Sequence, residues 1–416
     1  MQRCGKWQAS ITLGGMSEHN YRYIIVGGGL AGASAAEAIR NADTSGSILV
    51  LGAEGELPYH RPPLSKQLWS GKKKATEIFV HDRAFYAAGN IEMRGDVRAT
   101  GLDAGRKAIT DSRGEQYRYG KLLLATGGTP RRLNLPGADL EGMIYYRTLA
   151  DFGHARAVAS ARKSAVVIGG GFIGSEMAAS LRSIGMHVTM VFPGRALCER
   201  VFPGDLSQAM TEEYRKRGVE ILSGDKPQEF GKDGARFWTR TAGGQRVESD
   251  LIIVGIGITP NMELAQLAGL NTGDGIIVNE RLQTSNEHIY AAGDNAFFPC
   301  PVLGRSIRVE HWDNAKSSGE CAGQNLAGAD QPYDYVPYFF SDLFEFGYEA
   351  VGDVDARLET FADWQKEFDT GTVYYLKDGK VRGAMMCNIW GKVDAARQLV
   401  REGKVMGRQE LAGAIR

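Results

Sequence analysis

Residues 23–32 read Tyr23-Ile24-Ile25-Val26-Gly27-Gly28-Gly29-Leu30-Ala31-Gly32. Four residues suited to a buried strand stop at three glycines, and mostly small residues run on from Leu30 to Ile39. That order reads as strand, tight turn, helix. Ile48 to Leu51 supplies the next strand, so residues 23–51 form one βαβ unit. The stretch returns as Ala165-Val166-Val167-Ile168-Gly169-Gly170-Gly171-Phe172-Ile173-Gly174, with a helix to about Ile184 and a strand His187 to Val191. The glycine runs begin 142 residues apart (27 and 169), an architectural repeat rather than a solenoid period.

Both runs fit GxGxxG, on Gly27, Gly29 and Gly32 and on Gly169, Gly171 and Gly174. The first glycine makes the turn, the second lets backbone approach a pyrophosphate, and the third lets helix and strand pack closely. Free N–H groups and the helix dipole then face the phosphates. One copy marks a tight turn as readily as a ligand site. Two copies in the same strand–helix context point to two dinucleotides, for which the natural pair is a flavin and a nicotinamide nucleotide.

Further buried-type strands are Leu122 to Ala125, Leu251 to Gly255 and Ile289 to Ala292, each ending in Gly or Ala. Arg236 to Thr241 and Gln245 to Ser249 flank Gly243-Gly244 as a hairpin. From about residue 329 aromatics crowd Tyr333 to Tyr348, and the Lys377-Asp378-Gly379-Lys380 turn and a helix Lys392 to Glu402 follow. The expected organisation is α/β, with two Rossmann-like dinucleotide domains and a C-terminal α+β domain. The flavin domain is split over 1–130 and 259–328, the nicotinamide domain is 131–258, and the last domain is 329–416.

Composition narrows the function. Of 416 residues 54 are Gly, so an ordinary count of 13 Pro excludes a collagen-like chain and the glycines serve local purposes. Lys+Arg and Asp+Glu are both 49, which gives no global attraction to nucleic acid or anionic lipid. The 15 acidic against 11 basic residues from 329 onward weaken a nucleic-acid role further. Cys4, Cys198, Cys300, Cys321 and Cys387 form no CxxC or CxxxxC pair, so neither a zinc site, a disulfide framework nor a redox dithiol is expected. Scattered thiols suit a cytoplasmic protein. The longest notable apolar run, Leu251 to Ile258, is strand-sized, so no membrane span is expected. The first 22 residues carry Arg3 and Lys6, and no acid before Glu18. The apolar stretch around Ile11 to Leu13 is too short for a signal peptide, and Met16 reads as an alternative start.

Thr284 to Asp294 reads Thr-Ser-Asn-Glu-His-Ile-Tyr-Ala-Ala-Gly-Asp, with Asp294 at a strand's C-terminal edge, where doubly wound sheets bind ligands. The chain resembles the FAD- and NAD(P)H-dependent reductases of the glutathione-reductase (pyridine nucleotide-disulfide oxidoreductase) superfamily. Within it, the branch of apoptosis-inducing factor and oxygenase-type ferredoxin reductases is most similar. The resemblance is carried by Leu57 to Lys66 (LPYHRPPLSK), Ala125 to Arg131 (ATGGTPR), Gly169 to Glu176, Ala292-Gly293-Asp294 and Arg308 to Ala315 (RVEHWDNA). Phe339 to Leu343, Gly347 to Ala350 and Asn388-Ile389-Trp390 look closest to apoptosis-inducing factor.

The resemblance implies roles. Arg61 would pair with the FAD pyrophosphate as a forked guanidinium. Lys66 would reach the flavin near N5 and pair with Glu176, stabilising negative charge on reduced flavin. Phe172 would lie where nicotinamide approaches, and Asp294 would bind the ribityl chain. Ala125, Thr126, Gly127 and Arg131 belong to the flavin side. Glu310, His311 and Trp312 would line the shared face, and Ile173 and Gly257 the nicotinamide side. Plain packing would also account for Phe172 or Trp312, and a first-turn helix acid for Glu176.

Two positions depart from the pattern. The acid expected for the adenosine ribose of FAD falls on Ala53, with Glu54 beside it as a substitute. The second unit ends Val191-Phe192-Pro193-Gly194-Arg195 without an acid, and Arg195 tilts the choice between NADH and NADPH toward NADPH. The expected activity is hydride transfer from NAD(P)H to flavin N5, with electrons passed to a ferredoxin-like carrier, a quinone or oxygen. The other reading is a redox-sensing protein whose reduced FAD–nicotinamide complex controls partners or dimerisation. The chain would act as a monomer or homodimer.

Overall fold

The computed structural model describes residues 19–161 and 163–416. Met16 and Cys4 lie outside the described residues. The described residues fall into two compact units, one of 19–60, 76–129 and 260–337, the other of 61–75, 130–161, 163–259 and 338–416.

In the first unit, strands Ile91–Arg94, Ile48–Leu51, His19–Val26 and Gln116–Leu124 lie side by side in that order, all parallel. Ile289–Ala291 adds to the far half of Gln116–Leu124, with Ala291 opposite Leu124. Ala108–Asp111 and Ala99–Asp103 extend the sheet antiparallel. Ile24, Ile25, Leu49, Val50, Leu122 and Leu123 are fully buried, as expected of strands covered on both faces. Helices Leu30–Ala42 and Trp312–Leu326 cross closely, because a Cβ on Gly319 would lie 2.3 Å from Ala31 O and one on Gly323 2.5 Å from Ala35 O. Those two glycines belong to a helix contact and not to a turn.

In the second unit, a parallel sheet runs Val219–Ser223, His187–Phe192, Ser164–Ile168, Leu251–Val254, Met143–Tyr145. Pro227–Asp233, Arg236–Thr241 and Arg246–Ser249 make an antiparallel sheet that contains the expected hairpin. The C-terminal stretch is a five-stranded antiparallel sheet in the order Tyr338–Leu343, Phe346–Gly352, Lys380–Cys387, Thr370–Lys377, Glu359–Lys366, beside helix Val393–Glu402. Asp378 and Gly379 take φ of 53° and 71°, the paired positive values of a tight hairpin turn.

Candidate functional site

The two glycine loops are built alike. In the first unit a Cβ on Gly27 would come within 2.0 Å of Ala125 O, and one on Gly32 within 2.0 Å of Gly27 O. A Cβ on Gly29 would meet nothing within 4 Å. In the second unit Gly169 would strike Gly255 O at 2.3 Å and Gly174 would strike Gly169 O at 2.0 Å, while Gly171 again meets nothing within 4 Å. The outer glycines are therefore required by packing, and the middle ones leave a cradle. Both helices, Leu30–Ala42 and Phe172–Ser183, start without a side-chain cap, which keeps first-turn N–H groups available to an anion. Each loop fits a pyrophosphate.

Around the first loop, Thr126 and Asp294 stand just past the paired strand ends at Leu124 and Ala291. Gly127 and Gly293 take φ of 63° and 81° there, and Gly293 N–H donates to Ser318 Oγ at 2.9 Å. Asn295, which sequence reasoning passed over, is fully buried and donates to Thr126 Oγ1 at 2.8 Å and Leu124 O at 3.2 Å. Its Oδ1 is buried with no hydrogen-bond partner, a polar atom at the strand edge suited to a polar ligand. Glu54 accepts the Tyr59 hydroxyl at 2.5 Å. Asp96 brings a second carboxylate to the same turn, 2.6 Å from where a Gly55 Cβ would stand. His311 precedes helix Trp312–Leu326, and burial pushes its imidazole down to about 4 against the opposing pull of Asp294. Trp312 Nε1 donates to His60 Nδ1 at 2.9 Å. Glu310 is exposed and pairs with Arg308 at 2.5 Å.

In the second unit the chain brings Lys66 and Glu176 together. Lys66 Nζ lies 3.1 Å from Glu176 Oε1, and both side chains are 8% exposed. Glu176 also accepts from Ser341 Oγ at 2.5 Å, and from Ser65 Oγ. Asp342 Oδ2 lies 3.8 Å from Lys66 Nζ, and the Phe340 ring centroid 4.9 Å from it. Three successive residues of strand Tyr338–Leu343 thus meet the pair. A buried ion pair persists only when its remaining hydrogen-bonding capacity is met, and the two serines meet it for Glu176. Lys66 follows the short helix Pro62–Ser65, whose Ser65 carbonyl accepts from Ser180 Oγ at 2.6 Å. Arg61 precedes that helix and donates to Arg147 O at 2.8 Å. Phe172 opens helix Phe172–Ser183 with its ring 5.4 Å from Phe339. Ile173 beside it is 39% exposed. Arg131 donates from Nε to Ile258 O at 3.0 Å and from its backbone to Gly257 O at 3.0 Å, where Gly257 takes φ of 93°. Arg195 is exposed in the turn after His187–Phe192, and its backbone N–H donates to Glu199 Oε2 at 2.8 Å.

Two uncapped glycine cradles, each at the C-terminal end of a central strand of its own parallel sheet, define the class of two-dinucleotide oxidoreductases. The family model for pyridine nucleotide-disulphide oxidoreductases matches residues 21–319, and that for the C-terminal domain of mitochondrion-associated apoptosis-inducing factor matches 322–368. Apoptosis-inducing factor 1 of Dictyostelium discoideum is 32% identical, over 91% of this chain and 78% of that protein. The ferredoxin–NAD(+) reductase component of the anthranilate 1,2-dioxygenase system of Burkholderia cepacia is 34% identical, over 94% of this chain and 96% of that protein. The crystal structure of the covalent putidaredoxin reductase–putidaredoxin complex superimposes with a TM-score of 0.88 at 32% identity, covering 95% of this chain and 96% of that chain. The chain belongs to the pyridine nucleotide-disulphide oxidoreductase family. It is an FAD-dependent NAD(P)H oxidoreductase with the two-dinucleotide-domain fold. Among the described residues no helix is long and apolar enough to cross a membrane.

Proposed function

We propose that the chain is a reductase that passes electrons from NAD(P)H through FAD to a ferredoxin-like carrier. The observation that supports this acceptor is the near full-length likeness to a reductase whose structure holds it joined to putidaredoxin. Bound FAD would supply the chemistry, accepting a hydride and releasing electrons onward. The protein supplies position and charge.

In this reading Gly27 to Gly32 and the uncapped helix behind them hold the FAD pyrophosphate. Arg61 adds a forked cation, and Asp294, Thr126 and Asn295 bind the polar middle of the cofactor. Glu54 takes the ribose. Gly169 to Gly174 holds the nicotinamide nucleotide, and Phe172 guards its approach. Lys66 would set positive charge beside bound FAD, and Glu176, 3.1 Å from its ammonium, holds that side chain in place. None of the four described cysteines is in a disulfide and the sequence has no CxxC, so electrons would pass from bound FAD without a protein dithiol. Scattered cysteines without a CxxC pattern suit a reducing compartment, so we place the protein in the cytoplasm, as a monomer or homodimer.

The match to the apoptosis-inducing-factor C-terminal domain favours one other reading, a redox sensor whose long-lived reduced complex changes its partners. One experiment separates the two. The protein is reduced anaerobically with NADH or NADPH, and ferredoxin, quinone and oxygen are then offered separately. Fast reoxidation by ferredoxin supports the reductase. Reoxidation over minutes by every acceptor, with a nucleotide-dependent change in size, supports the sensor.

A further inference from the structure

The end of strand His187–Phe192 is where the dinucleotide fold places an acid against the ribose 2′- and 3′-hydroxyls. The chain there reads Phe192-Pro193-Gly194-Arg195. The turn is nevertheless acidic. Glu199 folds back and accepts the Arg195 backbone N–H on Oε2 at 2.8 Å. A Cβ on Gly194 would stand 2.4 Å from Glu199 Oε1 and 2.7 Å from its carboxyl carbon. The carboxylate therefore occupies the space that an acidic side chain at position 194 would use.

The turn is also tied to the glycine loop and to the end of the neighbouring strand Val219–Ser223. Cys198 N–H donates to Gly170 O at 2.8 Å, and Gly224 N–H donates to Gly194 O at 2.8 Å. Glu199 itself is exposed. A carboxylate offers about four lone-pair positions, so the single bond from Arg195 leaves acceptors for a diol.

We infer that Glu199 is the ribose-recognising acid of the nicotinamide-nucleotide site, and that it makes this chain select NADH over NADPH. The inference rests on reading Gly169 to Gly174 as that site. A ribose diol donates two hydrogen bonds to the carboxylate. A 2′-phosphate removes one donor and sets negative charge against negative charge. Gly194 and Glu199 act as a set, because a side chain at 194 would evict the carboxylate. Arg195 then serves through its main chain, by fixing the acid, and the tilt toward NADPH drawn from its guanidinium is reversed.

The test is calorimetric titration of the oxidised, FAD-loaded full-length protein with NAD+ and with NADP+. NAD+ is expected to bind about tenfold more tightly or better, the worth of a charge-assisted hydrogen bond. Glu199→Gln keeps an acceptor for Arg195 and should collapse that ratio toward one. Moving the acid, with Gly194→Glu in a Glu199→Ala background, should restore it. A ratio unmoved by Glu199→Gln, or a wild-type preference for NADP+, overturns the inference while leaving the nucleotide site standing. Binding of neither nucleotide overturns the site reading and the inference with it.

Discussion

Ser341 Oγ donates to Glu176 Oε1 at 2.5 Å, across 165 residues of chain. With Lys66 and Ser65 on the same carboxylate, the C-terminal sheet becomes a structural partner of the helix that follows the second glycine loop. Breaking a buried pair by removing one member leaves an uncompensated charge. Lys66→Ala is therefore expected to cost about 3–5 kcal/mol of unfolding free energy, and Lys66→Met with Glu176→Leu to recover most of it. Urea denaturation of the three proteins checks this, and a Lys66→Ala loss under about 1 kcal/mol would contradict it.

Ser341→Ala should cost about 1–3 kcal/mol, since it strips a hydrogen bond to a buried charge. It should also shift the flavin reduction potential, measured by spectroscopic titration against a redox dye. Lost stability with an unchanged potential would confine Ser341 to a structural role.

The glycine loops make a contrast within one motif. Gly32→Ala forces a Cβ against backbone at 2.0 Å and should destabilise the fold, lowering the melting temperature by several degrees or abolishing soluble protein. Gly29→Ala meets nothing within 4 Å, so the apoprotein should melt as wild type does while FAD affinity falls at least tenfold. Equal effects of the two on apoprotein melting would refute the cradle.

His311 should give the stability curve an acid slope. Its imidazole has a folded value of about 4 against an ordinary 6.5. Between those values the unfolded chain binds a proton that the folded chain refuses, so stability falls as pH drops through that window. The slope from this group is at most about 1.4 kcal/mol per pH unit, and it vanishes above 6.5. His311→Gln should flatten it, as read from urea midpoints at pH 7.5, 6 and 5.

Thiol chemistry offers a further check. Burial pushes Cys198 up to about 12 and Cys387 higher still. Both should resist iodoacetamide in the native protein and react once it is unfolded, as peptide mass spectrometry would show. Labelling of native Cys387 within minutes would contradict its place in the core.

Much of the architecture was legible in the sequence because each βαβ unit is local. Gly27 to Gly32 and Gly169 to Gly174 carry their strand, turn and helix within some twenty residues, and the parallel sheets follow. The Lys66–Glu176 pair was reached only through family resemblance, as no local pattern joins positions 110 apart. Asn295, Ser341 and Glu199 were missed for the same reason. Each acts through folding back onto a distant or hairpinned segment, and a serine in a strand or a glutamate after a turn has no periodicity to betray it. The nearest available signal was Gly194, a glycine where the pattern called for an acid. The glycines of helix Trp312–Leu326 were passed over too, because helix interiors seldom favour glycine unless another backbone comes close.

Strand Ile289–Ala291 completes the first parallel sheet against Leu122 to Leu124, whereas the parallel sheet of the second unit is complete at Val254. A ribosome therefore finishes the later sheet first. At ordinary elongation rates Gln116–Leu124 waits on the order of ten seconds for its last neighbour. During that wait its Leu122 to Leu124 edge is an open template for pairing with another nascent chain. Polysomes translating this message are where such pairing would be most damaging, and slower decoding between residues 124 and 289 would lengthen the exposure.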